Sequence, residues 1–360
     1  MNKFLLLIIS IVGFIYINSS ANASQSDVVK NFIEKFESEQ SHLQGSAIAI
    51  LSKNEVIYKK TFGNKKGSNN PINENTLFGL ASISKPVSAI ALALMVEKNQ
   101  LSFDKKIKLP YIKHDLTLSN ILSHTTGYKF SGTSQIEKGL SRTQLLEIIK
   151  KQKPDCNSGQ CYSYSNAMFS LIDEVLKLQG SNLEQAINNL GTTLNTSGIK
   201  LLPIKQVENL AYPHSNKKEL RFPSVYQKTV PASAGVFASL NGMIEFYKLS
   251  FGYRTDLISQ RTLDKMYQPI KINNDIFKWG VNFPFEESKI SSYYGLGWRT
   301  LQLEKKPNAD LIFHSGYIEG AKTFIGYIPS KEIGIIVISN DSAAFPVQSG
   351  IDFWGEIINL

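Results

Sequence analysis

A serine and a lysine three residues apart, Ser82 and Lys85, stand directly before an unusually apolar stretch. After Pro86 the chain reads VSAIALALMV, in which Ser88 is the only polar residue. Such a stretch is typical of a helix buried on every side, and Pro86 suits its first turn. Ser82 and Lys85 would then share one face, where burial and the positive helix end lower the pKa of a lysine. The pair therefore predicts a nucleophilic serine with a lysine as its base.

A second Ser-x-x-Lys, Ser215 to Lys218, lies in the polar run PHSNKKELR. No apolar helix follows this copy, so we interpret it as a solvated loop. Two further motifs follow the first copy along the chain, Tyr164-Ser165-Asn166 and His314-Ser315-Gly316. Tyr164 is a candidate general base, as a phenolate or jointly with Lys85, and a candidate proton donor to the leaving group. The alternatives are that Tyr164 only packs, that Asn166 is a turn residue and that His314 is structural.

These three motifs in this order resemble those of the serine β-lactamase-like superfamily, the penicillin-recognising enzymes. The resemblance extends to longer segments: TLFGLASISKPVSAIALALMVEKNQLSFDKKI, LTLSNILSHTTGY, PASAGVFASLNGMIEFYKL and HSGYIEGAKTFIGYIPSKEIGIIVISN. It implies an α/β lobe with a central antiparallel sheet, a mainly helical lobe, and a site in the cleft between them. It also implies that Asn166 positions Lys85 and the substrate carbonyl.

The third motif would complete the site by the same resemblance. His314 would hold the tyrosine hydroxyl and help to neutralise an anionic substrate group, and Ser315 and Gly316 would bind substrate. Gly316 would leave room for substrate to lie against the strand. The backbone N–H groups of Ser82 and Tyr317 would form the oxyanion hole. We expect the site to use no metal and no cofactor.

Hydrophobic periodicity supplies the elements that must position these residues. It predicts a helix over Ser26 to Gln40, a hairpin from SAIAIL and VIYKKTF, and strands at YGLGWRT, AKTFIGYI and EIGIIVIS. Between them, residues 82 to about 225 are mainly helical, with segments such as Ser141 to Lys151 and Ala167 to Leu178. A last helix is predicted around Gln348 to Leu360. Strands at both ends with helices between predict one sheet built from the two termini and an inserted helical lobe.

This pattern predicts the domain organisation of the 360-residue chain. We expect one β-lactamase-like unit over residues 24–360, since a chain of this length can bury a large core in two lobes. Its α/β lobe would span about 24–80 and 226–360, and its mainly helical lobe about 81–225.

The first residues predict a leader that is removed. Lys3 is followed by the apolar run Phe4 to Ile17 and then by a small polar segment ending Ala21-Asn22-Ala23, as in a secretory signal peptide cleaved after Ala23. The alternative is a membrane anchor, for which the run is shorter than the roughly 20 residues that a spanning helix needs. We therefore expect a periplasmic or secreted protein without a stable membrane anchor.

The expected export affects how the two cysteines of the chain are interpreted. Cys156 and Cys161 bracket Asn-Ser-Gly-Gln, and a close pair in an oxidising compartment favours a disulfide. A metal clip and a redox motif are the alternatives, but two thiolates cannot complete a zinc site alone, and the spacing is not Cys-x-x-Cys. The disulfide would brace the loop that carries Tyr164.

The positive charge of the chain carries little functional information. The formal net charge is +9, and the short basic pairs are scattered rather than massed in the stripe that nucleic acid requires. We interpret the charge as a solvated basic surface, with weak attraction to an anionic cell envelope at most. No nucleic-acid partner is expected.

Three functions are compatible with these motifs. The first is an exported serine hydrolase that cleaves a peptide, amide or ester through an acyl-enzyme, D-alanyl peptidase- or esterase-like, with peptidoglycan-derived peptides among the candidate substrates. The second is a class C-like β-lactamase, although such enzymes usually carry Lys-Thr-Gly where this chain has His314-Ser315-Gly316. The third is a penicillin-binding or sensor protein with little turnover, against which the intact Ser82, Lys85 and Tyr164 argue.

Overall fold

The structure is a computed structural model that describes residues 24–201, 208–216, 218–272 and 274–359. The predicted leader, residues 1–23, and the last residue of the predicted C-terminal helix lie outside the described residues. Within the described part of the chain, no helix combines the length and the apolar character needed to cross a bilayer.

A large antiparallel sheet forms the centre of the molecule, with the strand order β2-β1-β13-β12-β11-β10-β9-β8. Two short sheets, β3-β7-β4 and β5-β6, lie beside it. The strands are β1 (Gly45–Ser52), β2 (Glu55–Gly63), β3 (Phe78–Gly79), β4 (Ile199–Lys200), β5 (His214–Ser215), β6 (Lys218–Glu219), β7 (Phe237–Ala238), β8 (Lys271–Ile272), β9 (Ile290–Tyr294), β10 (Arg299–Leu303), β11 (Leu311–Ile318), β12 (Ala321–Ile328) and β13 (Ile333–Ser339).

The two ends of the chain meet in this sheet. The first strand pairs with the last one over its whole length, from Ser46 opposite Ser339 to Ser52 opposite Ile333. The same strand forms the predicted hairpin with β2 on its other side. The prediction of one sheet built from both termini is therefore confirmed.

Most helices lie between the N-terminal hairpin and β8. They are α1 (Gln25–Ser38), α2 (Ser84–Glu97), α3 (Leu118–Leu122), α4 (Thr133–Glu137), α5 (Arg142–Lys151), α6 (Asn166–Phe169), α7 (Ile172–Leu178), α8 (Leu183–Thr193), α9 (Ser224–Thr229), α10 (Pro231–Ala234), α11 (Leu240–Ser250), α12 (Gln260–Tyr267) and α13 (Pro346–Ile358).

The central sheet divides the hydrophobic core into two clusters. One face packs against α1 and α13, with side chains such as Phe32 and Trp354 in this cluster. The other face packs against α11, and from there a continuous cluster runs through α2 and the inserted helices. The core is thus divided by the faces of the sheet, while the helical insertion shares its core with one of those faces.

The second helix, α2, is buried on every side from Ser84 to Leu94. It packs against α8 and α10, as its uniform apolar sequence predicts. Its first turn continues a short 3-10 helix, Ala81–Ile83. This buried helix fixes the position of the Ser-x-x-Lys motif.

Two predicted elements differ from the structure. YGLGWRT was expected to be a strand, but it forms the turn between β9 and β10, and only its first residue and last two belong to strands. Gly297 adopts a φ of +84°, and a Cβ there would lie 2.7 Å from the Cβ of Ala89, so the turn is wedged against α2.

The segment Ala167 to Leu178 was expected to be one helix but is split into α6 and α7. The split falls at Ser170, whose carbonyl oxygen accepts a hydrogen bond from Arg142 at 2.8 Å and whose hydroxyl contacts the same guanidinium at 2.6 Å. The same carbonyl accepts the N–H of Asp173, three residues on, at 3.1 Å, so the guanidinium stabilises a tighter turn at which the regular α-helical pattern is interrupted.

Candidate active site

Ser82 lies in the 3-10 helix that leads into α2, after a strained residue. Ala81 has a φ of +49°, which is uncommon for a residue with a side chain. Neighbouring bonds hold this conformation, because Leu80 donates its N–H to Val236 at 3.0 Å and accepts the Thr323 hydroxyl at 2.9 Å. Strain held by its surroundings is frequent at functional sites, and here it directs Ser82 into a cleft.

Lys85 is completely buried, rather than half buried as expected. Its Nζ donates hydrogen bonds to Asn166 Oδ1 at 2.8 Å and to the Ser233 carbonyl at 3.0 Å, and lies 3.1 Å from Ser82 Oγ. The Asn166 orientation is fixed by its Nδ2, which faces Thr133 Oγ1 at 3.4 Å. A neutral amine has two N–H groups and one lone pair. Since two carbonyl oxygens take the N–H groups, the lone pair is left to face the hydroxyl groups of Ser82 and Tyr164.

The electrostatics of Lys85 favour this neutral form. Burial lowers the pKa of Lys85, and the positive charge of Arg299 lowers it further, while Tyr164 opposes the shift. A buried lysine with a lowered pKa is a suitable proton acceptor near neutral pH.

Tyr164 lies against Lys85, with Nζ 4.6 Å from the centre of the phenol ring. Burial alone would raise the pKa of Tyr164, but the charges of Lys85 and Arg299, with hydrogen bonds from Lys85 and Ser82, outweigh it and lower the pKa. The pKa values of both Lys85 and Tyr164 are thus lowered. Together the two side chains can release a proton closer to neutral pH than either would in water.

The loop that carries Tyr164 is fixed on both sides of the tyrosine. The N–H of Ser163 donates to the His124 carbonyl at 2.9 Å, and the N–H of Ser165 donates to His124 Nδ1 at 3.2 Å. The His124 ring packs against the Tyr164 ring with centroids 4.4 Å apart. Ser165 also caps α6, which begins at Asn166. His124 is therefore a positioning residue that the motif analysis did not single out, although the quoted segment LTLSNILSHTTGY contains it.

A disulfide joins Cys156 and Cys161 in the same loop. The backbone here runs along residues 124–127, since the Cys156 and Gly159 N–H groups donate to the carbonyls of Gly127 and Thr125. Gly127 has a φ of +86°, and a Cβ there would lie 2.4 Å from the Cys156 carbonyl oxygen. The disulfide and this glycine together hold the segment that precedes Tyr164.

His314 lies in β11 and is buried. Its Nδ1 faces the Ser315 carbonyl at 2.8 Å, so that nitrogen must carry the proton, and Nε2 then accepts the Tyr294 hydroxyl at 3.0 Å. Burial, Arg299 and Lys85 hold the pKa of His314 well below its usual range. Two expectations therefore change. The histidine contacts Tyr294 rather than the hydroxyl of Tyr164, and it is a neutral group rather than a cation for substrate.

The remaining residues of the third motif lie where β11 forms a local edge. Its pairing with β10 ends at Phe313, so from His314 onward this side of the strand faces the Ser82 segment and the cleft. Ser315 and Tyr317 line that cleft. A Cβ on Gly316 would lie 2.3 Å from the Leu80 carbonyl oxygen. Gly316 is thus required for β11 to approach the Ser82 segment, and it also lines the cleft, where contact with substrate was expected.

Arg299 is a cation of the site that the motif analysis missed. It is 3% exposed, and its Nε and Nη1 have no hydrogen-bond partner in the described part of the chain. The guanidinium carbon lies 5.2, 4.7 and 5.3 Å from the ring centres of Tyr164, Trp279 and Tyr294. Unpartnered buried donors are costly, so a guanidinium that lines the cleft is suited to an anionic ligand.

Ser82, Tyr164 and Arg299 line one cleft of about 740 Å³, behind which Lys85 is buried. Among the described residues that line it there is no Asp or Glu, whereas Lys278, Arg299 and Lys322 all contribute to its wall. The cleft is consequently positive. It has the dimensions of a small-molecule or short-peptide site.

The second Ser-x-x-Lys has a different environment. Ser215 and Lys218 face each other across the short hairpin β5-β6. Lys218 is exposed. This copy therefore lacks the buried lysine that distinguishes the first one.

Comparisons with known proteins bear on the family and the fold of this chain. The beta-lactamase family model matches residues 28–353. The chain is 23% identical to a penicillin-binding protein of Bacillus subtilis (strain 168), over 81% of this chain and 69% of that protein. It is also 23% identical to a beta-lactamase of Pseudomonas fluorescens, over 84% of this chain and 90% of that protein. Its fold matches an octameric penicillin-binding protein homologue from Pyrococcus abyssi with a TM-score of 0.73 and 21% identity, over 91% of this chain and 76% of that one.

Proposed function

Since the chain belongs to the beta-lactamase family of serine hydrolases, we propose that it is an exported enzyme that cleaves a peptide, amide or ester bond through an acyl-enzyme on Ser82. The observation that carries the proposal is the arrangement around Lys85. A fully buried lysine with both N–H groups bound by carbonyl oxygens faces the hydroxyl of Ser82. A purely structural role would leave this costly burial without benefit.

In the proposed acylation step, Ser82 Oγ attacks the substrate carbonyl carbon and its proton passes to the Lys85–Tyr164 pair. The carbonyl oxygen becomes an oxyanion, for which the backbone N–H groups of Ser82 and Tyr317 are the candidate donors. Asn166 keeps Lys85 oriented through its Oδ1. The step forms the bond between Oγ and carbon and leaves one additional proton on the pair.

Collapse of the tetrahedral intermediate breaks the bond to the leaving group. Tyr164 is the candidate proton donor, since its hydroxyl belongs to the same hydrogen-bonded group as Ser82. The product is an ester of Ser82 and a free amine or alcohol. Water then attacks this ester, with the deprotonated pair as base, which releases the acid and regenerates the serine.

We propose that the leaving group of the substrate carries a carboxylate and that this carboxylate binds Arg299. The guanidinium lies beside Tyr164, the proposed proton donor, and has unpartnered buried N–H groups. A planar guanidinium can bind a carboxylate through two parallel hydrogen bonds. This arrangement favours a D-alanyl peptidase-like substrate, with small esters as simpler substitutes.

Export is part of the proposal and is supported by the disulfide between Cys156 and Cys161. Disulfides persist in oxidising compartments. The proposed leader, residues 1–23, lies outside the described residues. Mass spectrometry of the protein from the cell envelope should show an N-terminus near Ser24 and no free thiol. An uncleaved leader or two free thiols would contradict export.

The proposed activity is tested with an ester of 3-hydroxybenzoate, whose released alcohol carries a carboxylate. We expect steady turnover by the wild type and none by Ser82→Ala. A fluorescent penicillin followed over time separates the alternatives, because a rapidly lost label indicates a β-lactamase and a persistent one a slowly deacylating acyl-enzyme. Turnover of neither compound, with stable label on the protein, would instead indicate a sensor and would contradict the hydrolase.

A further inference from the structure

A half-buried lysine lies at the other end of the cleft from Arg299. Lys322 is in β12 directly opposite Tyr317 of β11 and lines the cleft. Its Nζ lies 4.8 Å from the ring centre of Phe345 and 5.9 Å from that of Tyr317. These rings are 69% and 65% exposed, more than the other large hydrophobic side chains of the described chain. Two aromatic rings and an ammonium group are thus presented to solvent at the cleft mouth.

The ammonium group of Lys322 has no hydrogen bond or ion pair with any residue that the structure describes. Burial lowers the pKa of Lys322, and the nearby charge of Asp341 opposes that shift. The Asp341 carboxylate is itself occupied, since it accepts the N–H groups of Gln44 and Ala343, each at 2.8 Å. The positive charge at Lys322 is therefore left without a direct counter-ion.

The two cations lie on opposite sides of the nucleophile. Along β11, Arg299 is opposite Phe313 and Lys322 is opposite Tyr317, and four residues of a strand span roughly 13 Å. Ser82 comes between them, because its neighbour Ala81 packs against Gly316. A substrate extended along this edge would pass one cation on each side of the scissile bond.

The position of Tyr164 determines which cation lies on the leaving-group side of the scissile bond and which lies on the acyl side. Its ring is 5.2 Å from the Arg299 guanidinium, so the leaving group that it protonates lies toward Arg299. The acyl group must then extend in the other direction, past Tyr317 toward Lys322. The apolar part of an acyl chain would contact the rings of Tyr317 and Phe345, which bury it from water.

We propose that Lys322, with Tyr317 and Phe345, forms a second anion subsite, and that the natural substrate carries an anionic group on its acyl side as well as on its leaving group. This inference rests on the proposed hydrolase activity and narrows its substrate class to doubly anionic peptides, amides or esters. The absence of Asp and Glu from the described lining of the cleft supports it, because no protein carboxylate competes with substrate for either cation.

The test uses four esters that combine two acyl groups with two leaving groups. Glutaryl and valeryl groups have the same number of carbon atoms but differ in the terminal carboxylate, and 3-hydroxybenzoate and phenol differ likewise. The ratio of kcat/KM for glutaryl over valeryl esters measures the contribution of the proposed subsite to substrate preference, separately from the chemistry at Ser82. We expect the wild type to prefer the glutaryl esters with either leaving group.

The variant Lys322→Met should lower the glutaryl preference by about tenfold, the order expected for one charge-assisted hydrogen bond. Lys322→Arg should retain it, since the charge is kept. Lys331→Met, in the 3-10 helix Pro329–Lys331 that follows β12, removes the same net charge from a half-buried lysine outside the cleft and should not change the ratio.

The inference is overturned if Lys322→Met leaves the glutaryl preference intact, or if the wild type does not distinguish the two acyl groups. In either case hydrolysis of the esters would still support the acyl-enzyme on Ser82. Absence of turnover with all four esters, together with no acylation of Ser82, would instead overturn the proposed function on which the subsite depends.

Discussion

The Nζ atom of Lys85 lies 3.1 Å from Oγ of Ser82, and the lysine is fully buried while the serine lines the cleft. Two carbonyl oxygens complete the surroundings of that nitrogen. The pKa of the lysine is lowered chiefly by burial. In the proposed mechanism this relationship makes Lys85 a base rather than a counter-ion, and the following predictions test that role.

Replacing Lys85 by methionine should separate catalysis from stability. Methionine fills a similar volume and removes a buried amine, but it leaves the acceptor oxygens of Asn166 and Ser233 without their donor, so we expect the melting temperature to fall only modestly. Loss of a general base should lower kcat/KM by roughly 10²- to 10⁴-fold. The matched control Lys98→Met, at the exposed end of α2, should change neither quantity. A large drop in melting temperature for Lys85→Met would identify Lys85 as structural instead.

The pH dependence of kcat/KM should have an acidic limb set by Lys85 and Tyr164. Both pKa values are lowered, so the pair is active when it has lost a proton and activity falls as protons return at lower pH. His314 is neutral throughout, because its pKa lies well below the usual range. The preference for a carboxylate leaving group over a neutral one should therefore be flat between about pH 5 and 8. A preference that declines as pH rises through this interval would show that His314 is the cation after all.

Replacing Arg299 by methionine should have two effects that occur together. Preference for the 3-hydroxybenzoate leaving group should fall by about 10- to 100-fold, because a buried charge-assisted contact is lost. The acidic limb should also move to higher pH, since the Arg299 charge lowers the pKa values of Tyr164 and Lys85. Arg261→Met, at an exposed position of α12, is the control. A variant that loses the preference without any shift of the limb would contradict the electrostatic role.

Removal of the disulfide should affect both stability and turnover. Closing so short a loop contributes roughly 2 kcal/mol to the free energy of unfolding, and the loop leads directly to Tyr164. We expect the double variant Cys156→Ser, Cys161→Ser to unfold at a lower urea concentration, with little change in the slope of the unfolding free energy against urea. We also expect its kcat to be reduced. Equal stability and equal kcat would show that the disulfide does not brace the site.

The sequence was sufficient to predict those parts of the fold and of the candidate site that depend on local pattern. The uniform apolar run after Pro86 identified the buried helix, and short runs rich in β-branched and aromatic residues identified the hairpin and the last strands. The strand assigned to YGLGWRT was wrong because Gly297 turns the chain there, where a neighbouring helix approaches closely. That approach is a tertiary contact, which a short stretch of sequence does not reveal.

The residues that the motif analysis missed lie outside the three motifs, and tertiary packing brings them to the site. Arg299 and Tyr294 reach the site because the turn between β9 and β10 packs against α2, more than 200 residues away in sequence. The charge state of His314 also depends on this packing, since Arg299 and burial together hold its pKa low. A motif specifies residue types, whereas the electrostatics of a site follow from everything that surrounds it.

The central claim is that Ser82 is the nucleophile, and the most direct measurement locates the acyl group. The protein is treated with a glutaryl ester, quenched in acid and digested, and the modified peptide is sequenced by mass spectrometry. We predict one added acyl group on Ser82, none after Ser82→Ala, and unchanged labelling in Ser215→Ala, which alters the copy of the motif outside the cleft. Acylation at any other residue, or equal loss of labelling in both variants, would contradict the account.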